Sequence, residues 1–376
     1  MTIPVLRAVA CGRKEKINPL LLHNVSFDIM GKCSLCGDDE KHISFNLSLC
    51  SACARKRESR EIAERVHQKS IEGFSLRKPS GTGSACSQCV NHCHMSENER
   101  GLCGLRSNQG GVVRPLLSEE AVVDWYYDPL PTNCVAEWIC PATEGNALGK
   151  NLAVFFHGCT FDCVFCQNWQ HKMGVKELKP RRTVDQLVRA IDHDTHCICF
   201  FGGDPTPQLE YAFQACEKLI EKGKGVPRIC WETNGSMSPD LAKRITEYSF
   251  RTGGTVKFDL KAIDENLHFA LCGTSNKQTL HNFLALSKRL VEFGRPFLVA
   301  STLLVPGYVD AKEVGSIARF VADLNPEIPY SLLAFHPDYL MTDLPFTSKA
   351  EADAALAAAR GAGLRNVHVG NVHILD

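Results

Sequence analysis

Leu152-Ala153-Val154-Phe155-Phe156-His157 runs straight into Gly158-Cys159-Thr160-Phe161-Asp162-Cys163-Val164-Phe165-Cys166-Gln167-Asn168-Trp169. The first six residues have the length and apolar character of a buried strand, and the glycine and cysteines mark a loop leaving its C-terminal end. The same grammar repeats from about Asn151 onward. Predicted strands at Leu152–His157, Cys197–Gly202, Ile229–Glu232, Val256–Leu260, Phe297–Val305, Tyr330–Phe335 and Val367–Val369 alternate with amphipathic stretches, the pattern of βα units on a parallel sheet. One predicted helix has Thr183 as N-cap, Gln186 three residues on, and Val184, Leu187, Val188 and Ile191 on one face. Another starts at Asp310 and Glu313, with Ile317, Phe320, Val321 and Leu324 on one face. About six such units, short of the eight of a closed barrel, predict an α/β fold: a partial (βα)6 TIM-like barrel.

The cysteine loop carries the chemistry. Cys159, Cys163 and Cys166 offer three thiolates at Cys-x3-Cys-x2-Cys spacing, whereas a [4Fe-4S] cube has four irons. One iron then lacks a protein ligand, and a small molecule can coordinate it. A zinc site or a plain electron-transfer cluster would want a fourth cysteine close by, and the next downstream is Cys197. Catalytic groups of βα barrels gather where this loop sits, at strand C-terminal ends.

The rest of the composition narrows the class. Lysine plus arginine number 42 and aspartate plus glutamate 42, so no global field draws the chain to nucleic acid or an anionic membrane. No charged-then-apolar leader and no membrane-length apolar run is visible, which predicts a cytoplasmic location. Nineteen cysteines without a secretory signal point to metal rather than disulfides. Residues 1–30 form a segment without a metal pattern. Residues 31–56 hold Cys33, Cys36, Cys50 and Cys53 as two Cys-x2-Cys pairs, a zinc-ribbon or rubredoxin-like knuckle for which structural zinc is favoured over iron. Residues 57–84 are a linker: the stretch Cys53 to Ile71 is charged and reads as a solvated helix, broken at Pro79-Ser80-Gly81. Residues 85–150 form a second module, with Cys86, Cys89, Cys93 and Cys103 closing either a zinc site or an auxiliary iron-sulfur cluster. Residues 151–376 are the core domain.

On the cysteine triplet and the motifs behind it the chain resembles the radical S-adenosylmethionine (SAM) superfamily, and within it the pyruvate formate-lyase activating enzyme branch. Gly202-Gly203-Asp204-Pro205-Thr206 stands where that family has its GGE element, Glu232-Thr233-Asn234-Gly235 where it has TNG, and Asp259-Leu260-Lys261-Ala262 where it has DLK. Val305-Pro306-Gly307 and Phe335-His336-Pro337-Asp338 follow in order. The four-cysteine element at Cys86–Cys103, Asp128-Pro129-Leu130 and Cys166-Gln167-Asn168-Trp169 are similar to the AmmeMemoRadiSam-system proteins, and the match covers roughly residues 85–376. The resemblance implies that the Gly202-Gly203 backbone and Asp204 accept from the SAM ammonium and that Lys261 meets its carboxylate. It further implies a monovalent cation near Glu232 and Asp259, with His336 and Leu303 lining the adenosine pocket. Glu232 replaces the shorter aspartate usual in the family. Where relatives tend to carry a Lys-Lys-Pro-Leu-like stretch, this chain has Pro131–Cys140, whose Cys134 and Cys140 read as buried thiols, extra ligands or catalytic groups. Cys197 and Cys199 read as core.

The expected function follows from the resemblance. A flavodoxin- or ferredoxin-like reductant feeds the [4Fe-4S] cluster, SAM is reductively cleaved, and the 5'-deoxyadenosyl radical takes a hydrogen from a partner polypeptide entering through the barrel's side opening. One alternative is a radical SAM enzyme acting on a small metabolite or lipid in a walled pocket. Another is a non-enzymatic iron-sulfur electron carrier or zinc scaffold.

Overall fold

A nine-stranded sheet organises the chain. The computed structural model describes residues 31–39, 42–132, 134–140, 149–223, 225–294 and 296–376, so the expectation for residues 1–30 lies outside the described residues. The strands are β1 (Glu120–Pro129), β2 (Lys150–Phe156), β3 (Arg181–Thr183), β4 (Thr195–Gly202), β5 (Arg228–Thr233), β6 (Val256–Asp259), β7 (Leu298–Leu304), β8 (Tyr330–Ala334) and β9 (Val367–Gly370). Their spatial order is β9-β8-β7-β6-β5-β4-β2-β1-β3. From β2 to β9 every neighbouring pair is parallel, whereas β1 pairs antiparallel with both β2 and β3. All seven predicted strands are present within a residue or two at each end. β1 and β3 are additions that the βα pattern does not contain.

The longer helices are α1 (Arg60–Glu72), α2 (His171–Glu177), α3 (Val184–Arg189), α4 (Leu209–Glu221), α5 (Pro239–Thr252), α6 (Glu265–Cys272), α7 (Lys277–Ser287), α8 (Ala311–Leu324) and α9 (Lys349–Gly361). Those from α2 onward connect the parallel strands, giving six strand-and-helix units and a last strand, β9. Thr183 and Gln186 form a reciprocal capping box on α3, and Asp310 accepts from the Glu313 amide at the start of α8. Each satisfies amides that a helix start leaves without partners.

Strand faces divide the core from the interior of the arc. On β4, Ile198 and Phe200 point to the helix layer, where Phe200 packs 4.6 Å from Trp231, and Trp231 meets Phe213 of α4. The alternate residues Cys197 and Cys199 point inward, so their burial is against polar groups rather than the outer apolar layer.

Helix α1 departs from expectation. It buries Ala63, His67, Ser70 and Ile71, and the Arg60 guanidinium lies 4.0 Å over the Phe269 ring on α6. Its charged composition reads as solvated because the polar residues it buries find partners on the cysteine loop.

Candidate active site

The three cysteines leave β2 on a loop pinned at several points. Asp162 N–H donates to the Cys272 carbonyl at 3.0 Å and Val164 N–H to the Leu271 carbonyl at 2.9 Å, fixing the loop to the end of α6. Gly158 (φ +85°) opens it, and a Cβ there would meet Leu105 Cδ1 at 2.5 Å. Just after β4, Gly203 N–H donates to the Phe156 carbonyl and Asp204 N–H to the Gly158 carbonyl. A Cβ on Gly203 would fall 2.2 Å from the Gly158 oxygen. The glycine pair therefore lets the end of β4 press against the cysteine loop.

Cys159, Cys163 and Cys166 open onto one cavity of about 480 Å³, together with Gly202, Gly203, Glu232, Thr233, Asn234, Asp259, Lys261 and Leu303. Burial pushes the Cys159 and Cys166 thiols up, Cys166 to about 12. For Cys163, a hydrogen bond with Cys272 is the larger cause, ahead of burial. Cys272 is a neighbour that spacing along the chain does not reveal. Asn234 braces the loop, donating from Nδ2 to Thr160 Oγ1 at 2.7 Å and to Cys159 Sγ at 3.6 Å.

Lys261 and Asp259 face the cavity as a pair, Nζ to Oδ2 at 2.7 Å, while the other Asp259 oxygen accepts from Ser301 at 2.6 Å. Glu232 differs: its Oε1 is buried with no hydrogen-bond partner among the described residues, and burial raises its carboxyl above the usual range. An orphaned carboxylate oxygen at a cavity wall fits a bound cation or N–H donor.

Two of the expected site residues stand apart from this cavity wall. Asp204 does not line the cavity. Its Oδ1 accepts from Thr233 Oγ1 at 2.6 Å and from Asn234 N–H at 3.1 Å, and its Oδ2 from Thr206 N–H at 3.0 Å, so it ties two strand-end loops together instead of waiting for a ligand. His336 likewise lies off the cavity wall: its side chain is 42% exposed, and Nδ1 is paired with its neighbour's carbonyl, Pro337 O, at 3.1 Å. Its own carbonyl accepts from the cavity residue Gln167 at 3.3 Å.

The segment around Cys134 fills the arc. Trp138 donates to Ser331 Oγ at 3.0 Å and stacks on His368 of β9, ring centroids 5.2 Å apart. Ser331 in turn donates to the Val135 carbonyl at 2.5 Å. The expected side opening is thus occupied on the β8–β9 side by the chain itself. Below the cavity, the fully buried Lys257 ammonium sits 3.1 Å from both Cys134 Sγ and Cys199 Sγ, and Lys257 pairs in register with Glu232. Sequence reasoning missed Tyr126, Trp138, His171 and His368 as cavity residues; Tyr126 lies on β1, whose aromatic and β-branched run is itself a strand signal.

Sulfur spacing separates the three cysteine groups. The Sγ atoms of Cys33, Cys36, Cys50 and Cys53 all lie within 4.8 Å of one another, with Cys36 and Cys50 at 3.8 Å. Four thiolates on one tetrahedral ion, each about 2.3 Å from it, are spaced by about 3.8 Å. Among the described residues, neither Cys159/Cys163/Cys166 nor Cys86/Cys89/Cys93/Cys103 gathers three sulfurs so closely. A cube that gives each thiolate its own iron needs a wider spread than a single ion does.

A partial parallel barrel with a cysteine triplet at the first strand end and glycine, Asn234 and Lys261 motifs at the following ones defines a class of enzyme. The family model described as the radical SAM superfamily matches residues 153–321, and over that stretch the chain is similar to radical SAM enzymes. Such enzymes use a [4Fe-4S] cluster and SAM. An uncharacterized protein of Methanocaldococcus jannaschii is 27% identical over 76% of this chain and 81% of its own length. The pyruvate formate-lyase 1-activating enzyme of Escherichia coli K12 is 26% identical over 52% of this chain and 78% of that enzyme. Among the described residues, no helix is long and apolar enough to cross a membrane.

Proposed function

We propose that Cys159, Cys163 and Cys166 hold the SAM-cleaving cluster, and that the enzyme takes a hydrogen atom from a residue of a partner polypeptide. The observation carrying the first part is that these three sulfurs open onto the same cavity as Gly202, Gly203, Asn234, Glu232, Asp259 and Lys261. When bound there, the cluster and SAM supply hydrogen-abstracting chemistry. The chain's own residues position and exclude. Lys261, held by Asp259, would meet the SAM carboxylate; Glu232 Oε1 would take the ammonium or a monovalent cation; Leu303 and Phe165 would supply an apolar wall. The knuckle of residues 31–56 takes structural zinc, supported by its tetrahedral sulfur spacing. It props the active-site loop through Leu340, whose carbonyl accepts from Asn46 Nδ2 at 2.7 Å and whose N–H donates to the Val164 carbonyl at 3.1 Å.

The polypeptide reading rests on the similarity to activating enzymes, with a flavodoxin- or ferredoxin-like protein as reductant. A second reading, a small metabolite substrate, is favoured by Trp138 and Val135, which wall the arc on the β8–β9 side. One experiment separates them. Extract from cells grown in deuterium oxide is split by ultrafiltration into macromolecular and small-molecule fractions, and each is given to the reduced enzyme with SAM. Deuterium in 5'-deoxyadenosine from the macromolecular fraction alone supports the polypeptide reading. Deuterium from the small-molecule fraction alone replaces it with the second.

A further inference from the structure

We infer that Cys86, Cys89, Cys93 and Cys103 bind a second iron-sulfur cluster, not zinc, set directly behind the Cys159 loop; placing it there rests on Cys159/Cys163/Cys166 being the SAM-cleaving site. The first argument is spacing. The four thiols share one region: Cys86 N–H donates to the Cys93 carbonyl at 2.8 Å, and Cys86, Cys93 and Cys103 are all within electrostatic reach of Cys89. Yet among the described residues no three of these sulfurs lie within 4.8 Å of one another, although the same chain draws four sulfurs that close at its knuckle. A single tetrahedral ion needs the knuckle's spacing, whereas a cube separates its thiolates by its own edge as well as by the iron-sulfur bonds.

The second argument is the sulfurs' partners. Cys93 Sγ accepts from Leu102 N–H at 3.5 Å and Cys89 Sγ from Asn91 Nδ2 at 3.7 Å, the N–H···S contacts that tune cluster thiolates. Gly101 lies beside the group, where an added Cβ would come 3.6 Å from Cys93 Sγ. The tight Cys-x2-Cys-x3-Cys run with one distant cysteine also differs from the paired Cys-x2-Cys ends of the knuckle.

Position gives the site a use. Asn91 Nδ2 donates to the Thr160 carbonyl at 2.6 Å, one residue from Cys159, and Val90 N–H donates to the Ser236 carbonyl at 2.9 Å. Cys103 and Cys159 line the same small interstice with Gly158 and Phe161. A cluster there accepts one electron from an external one-electron donor of the flavodoxin or ferredoxin class and passes one electron on, with no bond made or broken.

The test uses the full chain, reconstituted anaerobically with iron and sulfide. The Cys159/Cys163/Cys166→Ala variant should keep about four irons and four sulfides and give, on dithionite reduction, a paramagnetic signal that added SAM leaves unchanged. Adding Cys86→Ser and Cys89→Ser should remove iron, sulfide and signal while knuckle zinc stays. The inference is overturned if the first variant holds no sulfide, whether its thiols take a second zinc or nothing. In wild type, zinc should stay near one per chain; two per chain would overturn it independently of any variant's folding. Wild type that keeps this SAM-insensitive cluster but never cleaves SAM would instead sink the functional reading alone.

Discussion

Lys172 buries its ammonium against the carboxylate of Asp162, the residue just before Cys163 on the cysteine loop. His67 Nδ1 meets the other Asp162 oxygen at 2.8 Å, and Ser70 donates to Asp162 at 2.7 Å, so helix α1 and the loop share one buried charge network. Burial alone would raise the Asp162 carboxyl, yet the bonds from His67 and Lys172 hold it below the usual carboxylate range. Removing one member of such a pair leaves a buried charge unpaired. Lys172→Met should cost about 3–5 kcal/mol in denaturant unfolding, and adding Asp162→Asn should recover part of that loss.

Asp204 offers a different contrast. Because it ties Thr206, Thr233 and Asn234 together and does not line the cavity, Asp204→Ala should lower stability by about 2–3 kcal/mol. Asp204→Asn, which keeps an acceptor, should lose less. SAM affinity of the folded Asn variant, measured by equilibrium binding, should stay within a few-fold of wild type, whereas Lys261→Met should lose far more.

Cys134 should be a slow thiol. Burial pushes it up to about 11 despite the Lys257 ammonium, so at pH 8 it is protonated, and it is only partly exposed. Alkylation mapped by mass spectrometry should label the exposed Cys36 of metal-free protein well before Cys134.

Acid should destabilise the fold through its buried histidines. Burial lowers His268 from 6.5 to about 4, with its Nδ1 held 2.8 Å from the Thr274 carbonyl, and lowers His171 to about 3. Above pH 6.5 these rings are neutral in folded and unfolded chains alike and contribute no slope. Below it the unfolded chain takes up protons that the folded one refuses, so stability falls from pH 6.5 towards pH 4, by roughly 3 kcal/mol for His268 alone. His268→Gln should flatten that part of the curve.

The parallel strands were legible because each is a short apolar run ending in a glycine or charged motif, and the capping residues Thr183 and Asp310 marked their helices. The cavity's ring of motif residues was legible for the same reason, since βα units place strand ends together. Other features depend on contacts distant in sequence. β1 reads as connection until β2 supplies its partner. Asp204 looks like a ligand group until Thr233 and Asn234, on another strand's loop, take its oxygens. His67 and Ser70 look solvated until Asp162 is placed beside them, and Cys272 meets Cys163 only because α6 ends under the cysteine loop.

The central claim is tested most directly by 5'-deoxyadenosine. Anaerobically reconstituted wild type and the Cys159/Cys163/Cys166→Ala variant are each given SAM and dithionite, and the nucleoside is quantified. The account predicts 5'-deoxyadenosine from wild type and none from the variant. Equal amounts from both, or none from wild type loaded with iron and sulfide, would contradict the assignment of these three cysteines to the SAM-cleaving centre.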